Sequence, residues 1–186
     1  AIGVLVCHKQ PNLRESVTLA GGAALFIVVA SLAGTYDLQA PVTLELLQPF
    51  EGLSLAFRLE PLGLIFALVA GFLWPITSLY AIGYMRGLHE HAQNRYFTCF
   101  AISLSATIGV AFAGNLFTLY LFYEMLSLST YSLVTHHQDL EARFGGRKYL
   151  TYLMGTSIGL LLPAIIMTYT LTGTLDFSEK GILSGA

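Results

Sequence analysis

The stretch LYLFYEMLSLSTYSL, residues 119–133, decides how this chain is read. It is apolar enough to lie in lipid, yet Glu124 stands near its middle. A helix of about 20 residues spans the hydrocarbon of a bilayer. Residues 116–135 supply one such helix, so the carboxylate falls close to its centre. A charged side chain there costs roughly 2.5–3.5 kcal/mol on insertion scales, and it therefore faces a bundle interior where partners offset that cost. At helical spacing its own face carries Tyr120, Ser127 and Tyr131, one and two turns away. These hydroxyls can hydrogen-bond a carboxylate or hold a short water chain. Burial favours the neutral form of a carboxyl group and a nearby cation favours the charged form, so a group balanced between them can take up and release a proton. Two readings stand at this point: a proton carrier, or a hydrogen-bonded packing group between helices.

The rest of the chain supports the membrane setting. Of 186 residues, 55% are apolar and only 11% charged, with a mean hydropathy of +0.67. A soluble domain carries about 25% charged residues. The deficit falls in blocks the size of membrane spans. The expected fold is all-α: a polytopic membrane helix bundle with five full transmembrane helices plus a truncated first one, forming a single membrane domain over residues 1–186. The first helix ends near Cys7, and a loop, HKQPNLRE, follows it. Further helices are expected at 17–34, 61–85 with a kink at Trp74-Pro75, 96–113, 116–135 and 148–171. Pro61 suits a first helical turn, where a missing N–H costs nothing. Gly114-Asn115 makes the fourth-to-fifth connection a tight turn. Residues 35–59, with Pro41 and Pro49, read as a surface loop with interfacial pieces, and 172–186 as a loop that closes on nothing. A net charge of −2 without a basic run excludes nucleic acid as a partner. Cys7 and Cys99 are far apart and lack metal spacing, so neither a disulfide nor a metal site is expected from them. No cofactor is expected.

Lys and Arg accumulate in cytoplasmic loops of membrane proteins. Seven of the nine here lie in three loops on one side: Lys9, Arg14, Arg86, Arg95, Arg143, Arg147 and Lys148. Arg58 and Lys180 fall on the other. The loops holding Arg86 and Arg143 are therefore expected in the cytoplasm.

Thr151, Gly155, Gly159 and Pro163 recur every four residues, a small face that permits close helix approach. Lys148 either snorkels to the interface or faces inward to tune proton uptake. His89 and His91 flank Glu90, and His136-His137 end the fifth helix. Adjacent histidines point in different directions, which argues against a metal site. Surface histidines and a proton-collecting role for His136 and His137 are the readings retained.

Four segments, FRLEPLGLIFALV, WPITSLYAIGYM, GNLFTLYLFYEMLSLSTYSLVTHH and GGRKYL, together resemble the antiporter-like membrane subunits. That superfamily includes the D-type component of Mrp sodium/proton antiporters and the proton-pumping membrane subunits of respiratory complex I. PNLRE and Glu60-Pro61 are more similar to the Mrp D-type branch. The resemblance implies that Glu124 is the helix-five glutamate of the family's proton path. It also implies a partner lysine on a seventh helix and a second, inverted half, so this chain is expected to be the N-terminal half of such a subunit. Its implied setting is the bacterial cytoplasmic membrane, among other membrane subunits and lipid, moving protons, with Na+, K+ or no second ion in exchange. A structural membrane subunit without transport of its own is the alternative, and a membrane metalloenzyme a third.

Overall fold

In the computed structural model, helices pack side by side and one β-hairpin closes an end. The structure describes residues 1–7, 10–37, 42–50, 52–178 and 180–185, with the backbone alone at 50, 184 and 185. Lys9 and Pro41 lie outside the described residues. The order is α1 (Ile2–Val6), α2 (Pro11–Gly34), β1 (Thr43–Phe50), β2 (Leu53–Arg58), α3 (Pro61–Gly87), α4 (Gln93–Ala111), α5 (Leu116–Val134) and α6 (Leu140–Thr156). A π turn (Ser157–Leu161) then leads directly into α7 (Leu162–Thr172), and a 3-10 turn spans Ile182–Gly185.

The helical membrane class agrees with the sequence, but the helix count needs correction. Among the described residues, three rods are both long and apolar enough to cross a membrane, against the five expected: α2, α3 and the continuous rod Leu140–Thr172. The 19-residue α4 and α5 are about 28 Å long, enough for the hydrocarbon. Their hydroxyl residues and Glu124 dilute the apolar character. These two helices make the most extensive helix–helix contact of the chain, hiding that polarity against each other. Ser103 on α4 and Ser129 on α5 share a buried hydrogen bond of 2.8 Å. At Gly109 a Cβ would stand 2.2 Å from the Phe122 ring, so the close approach requires glycine.

Four other expectations change. The second helix starts at Pro11, not at 17, because Arg14 and Glu15 are buried by pairing across helices and need no loop. The sixth starts at Leu140, capped by the Asp139 side chain, which accepts from the Ala142 N–H at 2.6 Å. The 35–59 connection is mostly an antiparallel hairpin, with the turn glycine Gly52 at φ 73°. Its second strand docks on the α4–α5 turn: the Gly114 N–H donates to Ala56 O at 2.8 Å, and Arg58 N–H to Phe112 O at 2.8 Å. The segment after α7 also closes on that turn. Leu175 is buried there, and its carbonyl accepts from the Leu116 N–H at 3.0 Å. Backbone groups left open by the tight turn are thus satisfied from two directions.

Among the described residues, the small face of the last rod meets no neighbour at its glycines: a Cβ at Gly155 or Gly159 would find nothing within 4 Å. The rod instead leans on α5 through Ser157, Tyr149 and Gly146. Cys7 and Cys99 are both free thiols.

Gly109→Ala pushes a methyl into the Phe122 ring, and overpacking of this kind costs about 1–3 kcal/mol. The expected result is a lower thermal midpoint for the purified protein in detergent, with most of the loss recovered when Phe122→Leu is added. An unchanged midpoint for Gly109→Ala would show that α4 and α5 do not interlock here.

Candidate functional site

The register of α5 begins at Asn115, a buried N-cap whose Oδ1 accepts from the Thr118 N–H at 2.8 Å. Its Nδ2 donates to Ser54 O at 2.8 Å, so the hairpin fixes where the helix starts. Eight residues into the helix, about 12 Å along the axis, stands Glu124. The hydroxyl that reaches it comes from the last rod: Ser157 Oγ donates to Glu124 Oε1. Ser157 is 3% exposed and opens the π turn. Glu124 Oε2 is buried and has no hydrogen-bond partner among the described residues. One oxygen is therefore held and the other stands open.

The π turn has an identifiable cause. Pro163 lacks an N–H, and its ring crowds the carbonyl four residues back. That carbonyl belongs to Gly159, inside the wide turn. Wide turns of this kind concentrate at functional sites. Here it sits where Ser157 meets the carboxylate.

The same-face hydroxyls on α5 do other work. Ser127 Oγ donates to Tyr123 O of its own helix at 3.0 Å. Tyr120 and Tyr131 stay half-buried, and neither hydrogen bonds to Glu124. Thr130 Oγ1 and Tyr149 OH, 2.8 Å apart, tie α5 to α6 again nearer the basic end. Lys148 is exposed, with Nζ 4.6 Å from the Phe144 ring centroid, and lies about 13 Å along the rod from Ser157. Ser157 is the residue that sequence reading missed. The signal available for it was Pro163 and the carbonyl it displaces.

A second cluster forms at the end of the bundle that carries Arg14, Arg86 and Arg95. Arg86 binds Glu15 through two hydrogen bonds, at 2.5 and 3.0 Å. Arg14 donates to Gln93 at 2.8 Å and to Asn94 at 2.5 Å. Gln93 in turn donates to Met85 O and Glu90 O, both at 3.2 Å. The α3–α4 loop is thereby pinned, with His89 and Ala92 in the left-handed region at φ 51° and 52°. Gln138, at φ 58°, bends the facing α5–α6 loop. Glu90 Oε2 lies 3.7 Å from His91 Nδ1, 3.9 Å from His136 Nε2 and 4.0 Å from His137 Nδ1. Burial lowers the pKa of His136 most, with Arg95, His91 and His137 adding to it, while Glu90 opposes. The structure therefore brings His136 and His137 to Glu90, while Glu124 keeps to the middle of the bundle.

Residues 113–183 match the family described as NADH:quinone oxidoreductase/Mrp antiporter, TM. A Staphylococcus aureus protein assigned as antiporter subunit mnhD2 is 36% identical over 95% of this chain and 35% of its own length. Its counterpart in Staphylococcus haemolyticus is 29% identical over 96% of this chain and 36% of its own length. The chain thus spans about a third of these relatives. Among solved structures, the archaeal membrane-bound sulfane sulfur reductase complex superposes with a TM-score of 0.77 at 18% identity, over 94% of this chain and 36% of the matched one. The Mrp complex from Dietzia sp. gives 0.72 at 18% identity, over 98% of this chain and 20% of the matched one. The fold and sequence define an antiporter-like membrane subunit, and the match is to the N-terminal part of such subunits. Both of these relatives, matched over nearly the whole chain, carry the name antiporter subunit mnhD2.

Ser157→Ala leaves both Glu124 oxygens without a hydroxyl partner. An unsatisfied buried acceptor costs about 1–3 kcal/mol, so its thermal midpoint in detergent should fall clearly. Ser127→Ala removes only a bond within its own helix and should shift the midpoint little. Equal shifts for the two variants would contradict the assignment of Ser157 as the partner.

Proposed function

We propose that the chain forms part of a proton- or cation-translocating membrane subunit of a multisubunit antiporter or complex I-like assembly, and that Glu124 carries the proton at mid-membrane. The observation that carries this reading is the carboxylate itself, with one oxygen held by Ser157 and the other buried without a partner among the described residues. A hydroxyl can donate to a carboxylate or accept from a carboxylic acid by rotating. Ser157 therefore serves both protonation states without moving the helices. The open oxygen is the one from which a proton leaves, through water or toward a cation. Moving one charge across the membrane is worth about 2.3 kcal/mol per 100 mV, comparable to the energy that burial and a partner charge exert on such a group. Transport and membrane potential can be coupled at this site on that scale. Mrp antiporter subunits and an Mrp complex among the similar proteins support the assignment. Other membrane subunits are the partners, Na+ or K+ the exchanged ion, and transport rather than enzymatic turnover the activity.

The basic end of the bundle faces the cytoplasm of a bacterial cell in this proposal, by the positive-inside bias. With Cys7 and Cys99 replaced by Ser, a cysteine at Glu45 should react with an impermeant reagent added to intact cells. A cysteine at Glu141 should react only after lysis. The reverse pattern would invert the topology.

Glu124→Gln keeps the shape and much of the hydrogen bonding but cannot release a proton. Glu124→Asp keeps the acid and withdraws it by one methylene. In vesicles containing the whole assembled complex, Gln should abolish ion-coupled proton movement while Asp retains part of it, with assembly unchanged in both. Wild-type transport by the Gln variant would make Glu124 a packing group and support the purely structural subunit instead.

A further inference from the structure

The cluster of Glu90 with His91, His136 and His137 lies at the basic end of the bundle, apart from Glu124. The sequence argument against a metal was that neighbouring histidines diverge. The fold answers it by bringing two loops together: Glu90 and His91 from the α3–α4 connection, His136 and His137 from the α5–α6 connection. Ligand atoms of Glu90, His91 and His137 all lie within 4.8 Å of one another. His136 is 7% exposed, and neither ring nitrogen has a hydrogen-bond partner among the described residues. A buried imidazole with both nitrogens unpartnered is uncommon, because such groups are normally satisfied. Its Nε2 points to the same carboxylate oxygen that the other two rings approach.

We propose that Glu90, His91, His137 and His136 form a site for a divalent transition-metal ion of the Zn2+ type, clamping the α3–α4 loop to the α5–α6 loop. Three imidazoles and a carboxylate are a donor set suited to zinc, and a four-coordinate tetrahedral site has Zn–N and Zn–O distances of about 2.0–2.2 Å. Donors in such a tetrahedron stand about 3.3 Å apart by that geometry. The carboxylate-to-ring distances of 3.7, 3.9 and 4.0 Å need to close by less than 1 Å, and the ligand atoms of Glu90, His91 and His137, within 4.8 Å of one another, by up to about 1.5 Å. His91 and His137 are exposed and free to make that adjustment. Glu90 is held in place from behind: its N–H donates to Met85 O at 3.0 Å, and its carbonyl accepts from Gln93. Arg95 is the opposing charge. Its guanidinium is turned to the His136 carbonyl, at 2.5 Å, and fixes the backbone of that ligand.

The test measures metal and not transport, so its outcome is independent of the role assigned to Glu124. The whole subunit, in its complex and carrying an affinity tag without histidine, is dialysed against Zn2+ alone and its bound zinc counted. Wild type should retain one zinc more per subunit than His91→Ala/His137→Ala. Both residues are exposed, so the double variant should match wild type in thermal midpoint without metal. Zinc should raise the midpoint of wild type and leave that of the double variant unchanged, by the linkage of binding to stability. Glu90→Gln should weaken binding at least tenfold, whereas His89→Ala should leave it intact. Equal zinc content in wild type and the double variant would overturn the site, as would full loss of binding in His89→Ala with the double variant unaffected.

Discussion

Hydrocarbon offers no water to a polar group, and the pairing of polar side chains between the helices of this chain meets that constraint. Glu124 is the sharpest case. Its position in α5 is set from one end by Asn115, which binds both the helix start and the hairpin. Its partner comes from a different element, the last rod, through Ser157. Neither helix alone places the pair. The α4–α5 contact buries the Ser103–Ser129 pair, and the rod that supplies Ser157 touches the bundle mainly along α5. The carboxylate is thus a place where the last rod is fastened.

The two ends of the bundle are built by different means. At one, backbone hydrogen bonds from the hairpin and the 174–177 segment stitch the α4–α5 turn. At the other, side chains of Arg14, Glu15, Arg86, Gln93 and Asn94 hold α2, α3 and α4 together. The Arg86–Glu15 ion pair, with the Arg86 side chain about half exposed, adds little net stability. Its effect here is positional: it fixes the loop from which Glu90 projects.

Much of the fold was legible in the sequence for a single reason, the apolar block. α3 and α5 fall within two residues of their expected ends, and Pro61 and Asn115 start helices where their chemistry suggests. Blocks fail as a guide where charge is buried or apolar character is diluted. Arg14 and Glu15 read as loop residues because pairing across 70 or more positions cannot be seen locally. The hairpin was missed although Leu53–Arg58 alternates, since its docking on Asn115 and Thr118 is a tertiary event. At the proposed site, Glu124 stands out in the sequence as a carboxylate within an apolar helix. Its partner was sought on its own helix, where spacing is readable, and lay on another. The histidines were visible individually, but their meeting at Glu90 depends on how two loops fold.

The wide turn at Ser157–Leu161 carries a consequence for chain length. A π turn amounts to one residue added to an α-helix, and one residue corresponds to about 100° of rotation. Everything beyond Leu161 is therefore turned, relative to Leu140–Thr156, by the presence of a single extra position. Removing one residue from the turn would swing the face of α7, including the way it leads to the docked Leu175, around the bundle. Substitutions along this rod act locally, whereas a one-residue change in length acts on everything downstream.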